Sequence, residues 1–373
     1  MHSGLYGKKN LRRERCALKS QKKLTNSCRK GEAKMYKNIF KYDDMKRSEH
    51  MAVRTTVGWY FWTHQLLEIS GPDVTAFLDY MYPNDITSLA VGRDRYTTML
   101  DEQGEIIDDV VIMRMDKERY WVSTLYATKT DDWWYFHQGN FNVEWREITD
   151  EWEMYAVQGP KSRDLVESLV RDSVSNLKFF AHMDTEIDQM PCLINRSGFS
   201  GEKFGYEIYI HPENRDALEA LIKPAAEKLG GKEVTEFQVM AWTLPTEANY
   251  YYMRDLAHTN PFETGLDKNI NWKKEFIGKE ALLEIREEGP TREMLGFEVP
   301  EPDIYIRSKQ YGGPGEPVYL SGEEIGRVSK LVYSYMKDVN IGYILAQKGK
   351  LHVGDHIQIH GYEAVITEKN WMN

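Results

Sequence analysis

Two adjacent aspartates, Asp108 and Asp109, stand at the start of the β-branched run IIDDVVIMRM (106–115). Aspartate is depleted in strands, and an ionised carboxylate is expensive to bury without a partner. Side chains alternate along a strand, so the two face opposite ways. Asp109 shares its face with Val111, Met113 and Met115, while Asp108 shares its face with Val110, Ile112 and Arg114. The apolar company of Asp109 turns it inward. Asp108, beside the turn DEQG (101–104) and on the face of Arg114, reads as the wetter of the two. An inward carboxylate can accept backbone N–H bonds and tie down the turn. It can also meet a cationic or N–H-bearing ligand, with a pKa raised by burial.

Other chemistries leave no trace. No GxGxxG follows a strand. FIGKE (276–280) lacks the upstream glycine and the hydroxyl residue of a phosphate loop, and GFSG (198–201) is one residue short of a nucleophile elbow. Cys16, Cys28 and Cys192 have no zinc-ligand spacing and no HExxH occurs, so no metal site is expected. A sparse, odd set of cysteines points to a reducing compartment and a cytoplasmic protein.

The elements that must position the pair are legible in outline. The 373 residues exceed one ordinary core, and 41% hydrophobic with 28% charged residues is a globular composition. No apolar run approaches the roughly 18 residues of a membrane span. Residues 1–34 carry 11 Lys/Arg and two acids, a balance of +9, which leaves −19 of the total −10 for the remainder. An acidic body is a poor match for a phosphate backbone, so no nucleic acid partner is expected. The basic leader reads as a disordered tail, or as sequence ahead of a true start at Met35; an interaction arm or targeting peptide is the alternative.

Helical spacing covers 37–57. WYFWTHQLLEIS (59–70) reads as one strand, and RYTTML (95–100), the aspartate run and RYWVSTL (119–125) as a strand series. A helix interrupted near Pro245 is expected over 237–253. From 294 onward, short strands alternate with Gly and Pro, the pattern of a small β-barrel or sandwich. The expected division is a leader at 1–34, a core of two subdomains at 35–290 and a barrel at 291–373.

Six stretches then occur in a telling order. They are NDITSL (84–89), RYTTMLDEQGEIIDDVVIMRM (95–115), AVQGP (156–160), SGFSGEKFGYEIYI (197–210), FIGKEALL (276–283) and GEPVYLSGEEIGRVSK (315–330). Together they resemble the glycine-cleavage T-protein family, tetrahydrofolate-dependent aminomethyl- and methyltransferases, from about residue 45 to the end. The resemblance implies an α+β fold of three domains around a central hole for tetrahydrofolate, the last a β-barrel. It implies a catalytic Asp109 near the folate nitrogens, with Tyr96 beside it. It implies Glu207 on the pterin, and Phe199, in place of the family's tyrosine, stacked on the cofactor.

The departures from the family bear on the donor. The family's arginine-bearing ARDTLRLEAG has become a stretch with Ala241 and Pro245 where the arginines stand, and Glu247 is kept. The family's FDVSH is matched by Phe61, Trp62, Thr63 and His64, without the aspartate, and an asparagine by Thr124. Aromatics crowd these positions, and Trp59, Tyr60, Trp62, Trp242 and His64 become candidate substrate contacts, since aromatic walls hold methylated cations. The expected reaction is transfer of a methyl group from a small N-, S- or O-methylated donor to tetrahydrofolate. The alternatives are a glycine-cleavage aminomethyltransferase served by a carrier protein, and a non-catalytic folate-binding protein. The last would carry a cysteine that KKEFIGKE (273–280) lacks.

Overall fold

The structure is a computed structural model that describes residues 40–62 and 65–372. The basic leader and His64 lie outside the described residues. Within them the chain is α+β, with three sheets.

In chain order the strands of the first two sheets are β1 (Gly58–Trp62), β2 (Gln65–Ser70), β3 (Asp94–Leu100), β4 (Ile106–Asp116), β5 (Arg119–Thr124), β6 (Glu144–Glu147), β7 (Glu153–Gln158), β8 (His182–Ile187), β9 (Met190–Asn195), β10 (Gly205–Ile210) and β11 (Lys232–Glu233). One sheet has the order β11-β1-β7-β10-β9-β8, the other β3-β4-β5-β2-β6. The stretch 59–70, expected as one strand, is therefore two strands in different sheets. All of β2 to β6 lies in sequence between β1 and β7, which are hydrogen-bonded neighbours, Trp59 opposite Val157. The ends of that span meet, because β2 pairs with β6, Leu67 opposite Glu147.

The two sheets stack face to face. Tyr60, Met154, Ala156, Leu193 and Tyr209 from one pack with Leu66, Met113 and Trp121 from the other in a shared core. Helices cover the outer faces. Val74–Met81 and Ala127–His137 bury Phe77, Leu78 and Trp134 against β2 to β5. Ser162–Glu167 and Arg215–Lys228 bury Leu165, Leu218 and Ile222 against the other sheet. The result is a helix–sheet–sheet–helix stack, in which both faces of both sheets are buried.

The third sheet contains β12 (Arg292–Val299), β13 (Pro317–Leu320), β14 (Glu323–Ser334), β15 (Val339–Gln347), β16 (His356–Ile359) and β17 (Tyr362–Thr367). Its order is β13-β14-β15-β12-β17-β16, and its two edge strands approach one another, so it nearly closes into a barrel. Its interior holds Phe297, Val328, Ile344, Ile359 and Ile366, all fully buried.

Between these bodies runs an irregular helical segment. A π-helical turn, Val239–Thr243, leads into Leu244–Glu247, and Met253–Leu256 follows. Pro245 falls at the head of the second piece, where a missing N–H costs least. The single interrupted helix expected over 237–253 is thus a set of short turns.

Candidate functional site

Register places the first residues of the site. In the β3–β4 ladder Thr98 faces Asp109, Tyr96 faces Val111 and Asp94 faces Met113. Directly opposed residues share a face, so Asp94, Tyr96, Thr98 and Asp109 all point toward the facing sheet. The Tyr96 hydroxyl donates to Asp109 Oδ2 at 3.0 Å. Asp109 keeps partial contact with solvent but is walled by protein on most sides. Burial first, then the neighbouring Asp108 charge, push its pKa up to about 7. Burial and Asp109 together hold the Tyr96 phenol well above its usual range.

Asp108 departs from expectation. It has no exposed surface, whereas Asp109 is only half-buried. The face it shares with Val110 and Ile112 is covered by the helices Val74–Met81 and Ala127–His137 rather than by water. Its carboxylate is satisfied locally. It accepts from Thr124 Oγ1 on β5 and from the Asp109 backbone N–H at 2.9 Å. The Tyr126 N–H in turn donates to Thr124 Oγ1 at 2.9 Å, so Asp108 anchors the entry into the helix Ala127–His137. Burial still raises its pKa, to about 6. Apolar company in the sequence could not separate these two residues, because both faces of β4 are buried.

The opposing sheet carries a polar row across five strands. Tyr60 on β1 faces Ala156 on β7, Ala156 faces Glu207 on β10, Glu207 faces Asn195 on β9, and Asn195 faces His182 on β8. All five share one face, the face of Met154, Leu193 and Tyr209 that meets the other sheet. Glu207 accepts from Asn195 Nδ2 at 3.1 Å and from the Tyr209 hydroxyl at 3.2 Å. Burial raises its pKa to about 7. Asn195 Oδ1 and the Tyr60 hydroxyl are buried and find no hydrogen-bond partner among the described residues. An unpaired buried acceptor or hydroxyl is costly, so this row has capacity left for a ligand. At its end His182 Nδ1 and Asp94 Oδ1 lie 2.6 Å apart, joining the row to β3. Asn195, His182 and Asp94 carry no motif; only the strand register brings them to Glu207.

The candidate substrate aromatics separate into two groups. Trp59 is 2% exposed and lies on the opposite face of β1, against Tyr155. Tyr60 and Trp62 face the sheet–sheet core. Trp62 continues a run of rings: Phe199 at 4.8 Å, Phe237 stacked at 6.0 Å, then Trp242, then Tyr311 at 5.2 Å from Trp242. Phe199 thus packs on Trp62. These rings pack on one another rather than around a void. A surface recess of about 310 Å³ lined by Met45, Glu49, Trp59 and Lys223 includes none of the carboxylates of the site.

Glu247 sits where three bodies meet. Arg54, from the helix Asp44–Thr55, donates to Glu247 Oε2 from Nε at 3.0 Å and from Nη2 at 2.8 Å. Arg54 also donates to the Leu244 and Ser200 carbonyls and to Glu202. Ser334 on β14 donates to Glu247 Oε1 at 2.6 Å. Burial opposes ionisation of Glu247, yet His50 and Arg54 hold its pKa down at about 2. Burial also pushes His50 toward its neutral form, so the permanently charged Arg54 is the decisive partner. A second buried pair, Lys330 on β14 with Asp255 at 2.9 Å, ties the barrel to the segment behind Asp109. No cluster with metal-ligating character occurs among the described residues.

Comparison with known proteins agrees with this architecture. A family model described as the GCVT N-terminal domain matches residues 24–274. The curated aminomethyltransferase of Alkaliphilus oremlandii is 33% identical over 326 residues, 84% of this chain and 84% of its own length. That of Thermotoga maritima is 30% identical over 325 residues, 83% and 84% of the two chains. The solved structure of the glycine cleavage system aminomethyltransferase T from Bartonella henselae superposes with a TM-score of 0.75 at 22% identity, over 88% of this chain and 91% of that one, and so shares the fold. The chain belongs to the glycine-cleavage T-protein family of tetrahydrofolate-dependent transferases.

Proposed function

We propose that this chain transfers a one-carbon unit to tetrahydrofolate, with Asp109 and Tyr96 at the accepting nitrogen and Glu207 on the pterin ring. Two enclosed carboxylates on facing sheets, each with a pKa raised to about 7, are the observation that carries this reading. The residues fit a reduced pterin. Glu207 can accept from paired N–H groups, and the unpaired Asn195 Oδ1 and Tyr60 hydroxyl add hydrogen-bonding capacity on the same face. Tetrahydrofolate, when bound, supplies the ring nitrogens that take up the one-carbon unit. Asp109, held through Oδ2 by Tyr96, stabilises positive charge that develops at those nitrogens, and its placement favours an aligned approach of donor and acceptor. Phe199 adds an apolar wall.

For the donor, the named relatives support an aminomethyl group delivered by a carrier protein, and this reading takes precedence over the small methylated donor expected from sequence. The methylated donor stays as a second reading on one observation: Ala241 and Pro245 replace the family's arginines, and a run of aromatic rings from Trp62 to Tyr311 lies alongside. We place the working unit in the cytoplasm, built from a core ending near residue 290 and the barrel. No helix among the described residues is long and apolar enough to cross a membrane.

The test is a tetrahydrofolate titration of wild type and Asp109→Ala, followed by turnover with aminomethyl-lipoyl carrier protein and with a panel of methylated small molecules. Both proteins are expected to bind folate, with turnover about 10²–10³-fold slower in the variant. Absence of folate binding by wild type defeats the proposal. Methyl-tetrahydrofolate formed from a small donor, with none from the carrier, reverses the order of the two donor readings.

A further inference from the structure

We propose that His182 and Asp94 are positioning residues for the folate ring: they set the charge on Glu207 and lock its sheet to the strand that carries Tyr96. The inference rests on the folate reading of Glu207 given above.

The geometry is continuous. His182, Asn195 and Glu207 are successive members of one cross-strand row, each directly opposite the next. Directly opposed side chains sit about 5 Å apart on one face, so His182 is separated from Glu207 only by Asn195. Asp94 meets His182 at 2.6 Å and lies two residues before Tyr96 on the same face of β3. Backbone bonds make this junction stiff. The Asp94 N–H donates to the Phe180 carbonyl at 3.0 Å, and the His182 N–H to the Gly92 carbonyl at 3.1 Å. Through this junction four side chains, Asn195, His182, Asp94 and Tyr96, lie in line between Glu207 and Asp109, linked by hydrogen bond or by strand register.

The junction is also electrically active. Asp94 is buried, its Oδ2 finds no partner among the described residues, and its charge adds to the burial that raises the Glu207 pKa. The other groups facing Glu207 are the Tyr209 and Ser197 hydroxyls and Asn195, with Tyr60 nearby on the row. Arg54 reaches this region only through its field at Tyr60. Asp94 is therefore a further carboxylate acting on Glu207, and His182, with Arg93, favours its ionised form against the burial that opposes it.

Substitutions at either residue should then lower the negative charge that Glu207 meets. Asp94→Asn removes a negative charge, so Glu207 ionises at lower pH. His182→Gln removes a group that favours ionised Asp94 against its burial, so Asp94 holds its proton more readily and Glu207 again ionises at lower pH. The readouts are the pH midpoint of tetrahydrofolate affinity and the ¹³C titration of the Glu207 carboxyl in the ligand-free protein. We expect the midpoint to fall by about 0.5 pH unit or more in Asp94→Asn and to fall in His182→Gln as well. A purely structural role would weaken binding in both variants at every pH with an unchanged midpoint, and that result overturns the proposal. If Asp94→Asn does not fold, a lowered carboxyl titration in His182→Gln supports the proposal, and an equal or raised one overturns it. Unchanged folate affinity in Glu207→Gln would instead defeat the folate reading itself, whichever way the midpoints move.

Discussion

Asp109 and Glu207 are both raised to about 7, and burial is the leading cause in each. A carboxylate whose pKa rises on folding stabilises the folded state only while protonated. Below about pH 4 folded and unfolded chains both hold the proton and no penalty exists. Between about 4 and 7 the unfolded chain ionises first, and stability falls as pH rises. Above about 7 the full penalty stands, about 1.4 kcal/mol for each pKa unit of displacement. Asp109→Asn should therefore raise the melting temperature at pH 8 and change it little at pH 4, as thermal unfolding at the two pH values would measure. The same substitution is expected to lower turnover, the exchange between stability and function found at strained sites. Activity that requires ionised Asp109 should rise with pH through about 7. At this scale the sequence marked the aspartate pair as out of place in a strand, and the resemblance singled out Asp109, Tyr96 and Glu207. The burial of Asp108 was hidden because local alternation reports one strand, not the helices packed on its far side. Asn195, His182 and Asp94 were hidden because their meeting depends on register between strands distant in sequence.

Among the elements, the helix Asp44–Thr55 matters beyond its own packing. Asp43 caps it, accepting from the Lys46 N–H at 3.0 Å, and its buried face delivers Arg54 to Glu247. Arg54→Met would leave a carboxylate with no exposed side-chain surface and without its permanent counter-charge. Breaking one side of such a pair costs about 3–5 kcal/mol, while replacing both sides with apolar residues of similar volume costs far less. Urea unfolding of Arg54→Met and of Arg54→Met/Glu247→Leu should show this order, with the double variant the more stable. Periodicity outlined this helix and the strand series. It could not show that 59–70 divides between two sheets, since large apolar residues continue through both halves. Nor could it show the π-helical turn before Pro245, which tertiary packing imposes on an ordinary helical pattern.

At the scale of the whole molecule, the barrel is joined to the stacked sheets and the segment between them by a buried ion pair, Lys330 with Asp255, and a buried hydrogen bond from Ser334 to Glu247. Tetrahydrofolate binding should stabilise the assembly by about 2.7 kcal/mol at a hundredfold excess over Kd. A urea midpoint that rises with ligand in wild type, and fails to rise in Glu207→Gln, is the expected outcome. The Gly- and Pro-punctuated strands after 294 made the barrel legible, and the family resemblance supplied the remainder of the architecture. The arrangement of β2 to β6 also governs how such a chain can be made. The chain leaves its first sheet after Trp62, completes a five-stranded sheet whose ends meet, and only then returns to the neighbour of β1. The second sheet is thus a nested insertion, closed within the stretch of chain that separates β1 from β7 in its host. During synthesis it can close while β1 still waits for β7. The exposed edge of β1 is the hazard of that interval, and the carboxylate-bearing strand of the site is complete before the strand that holds Glu207 has emerged.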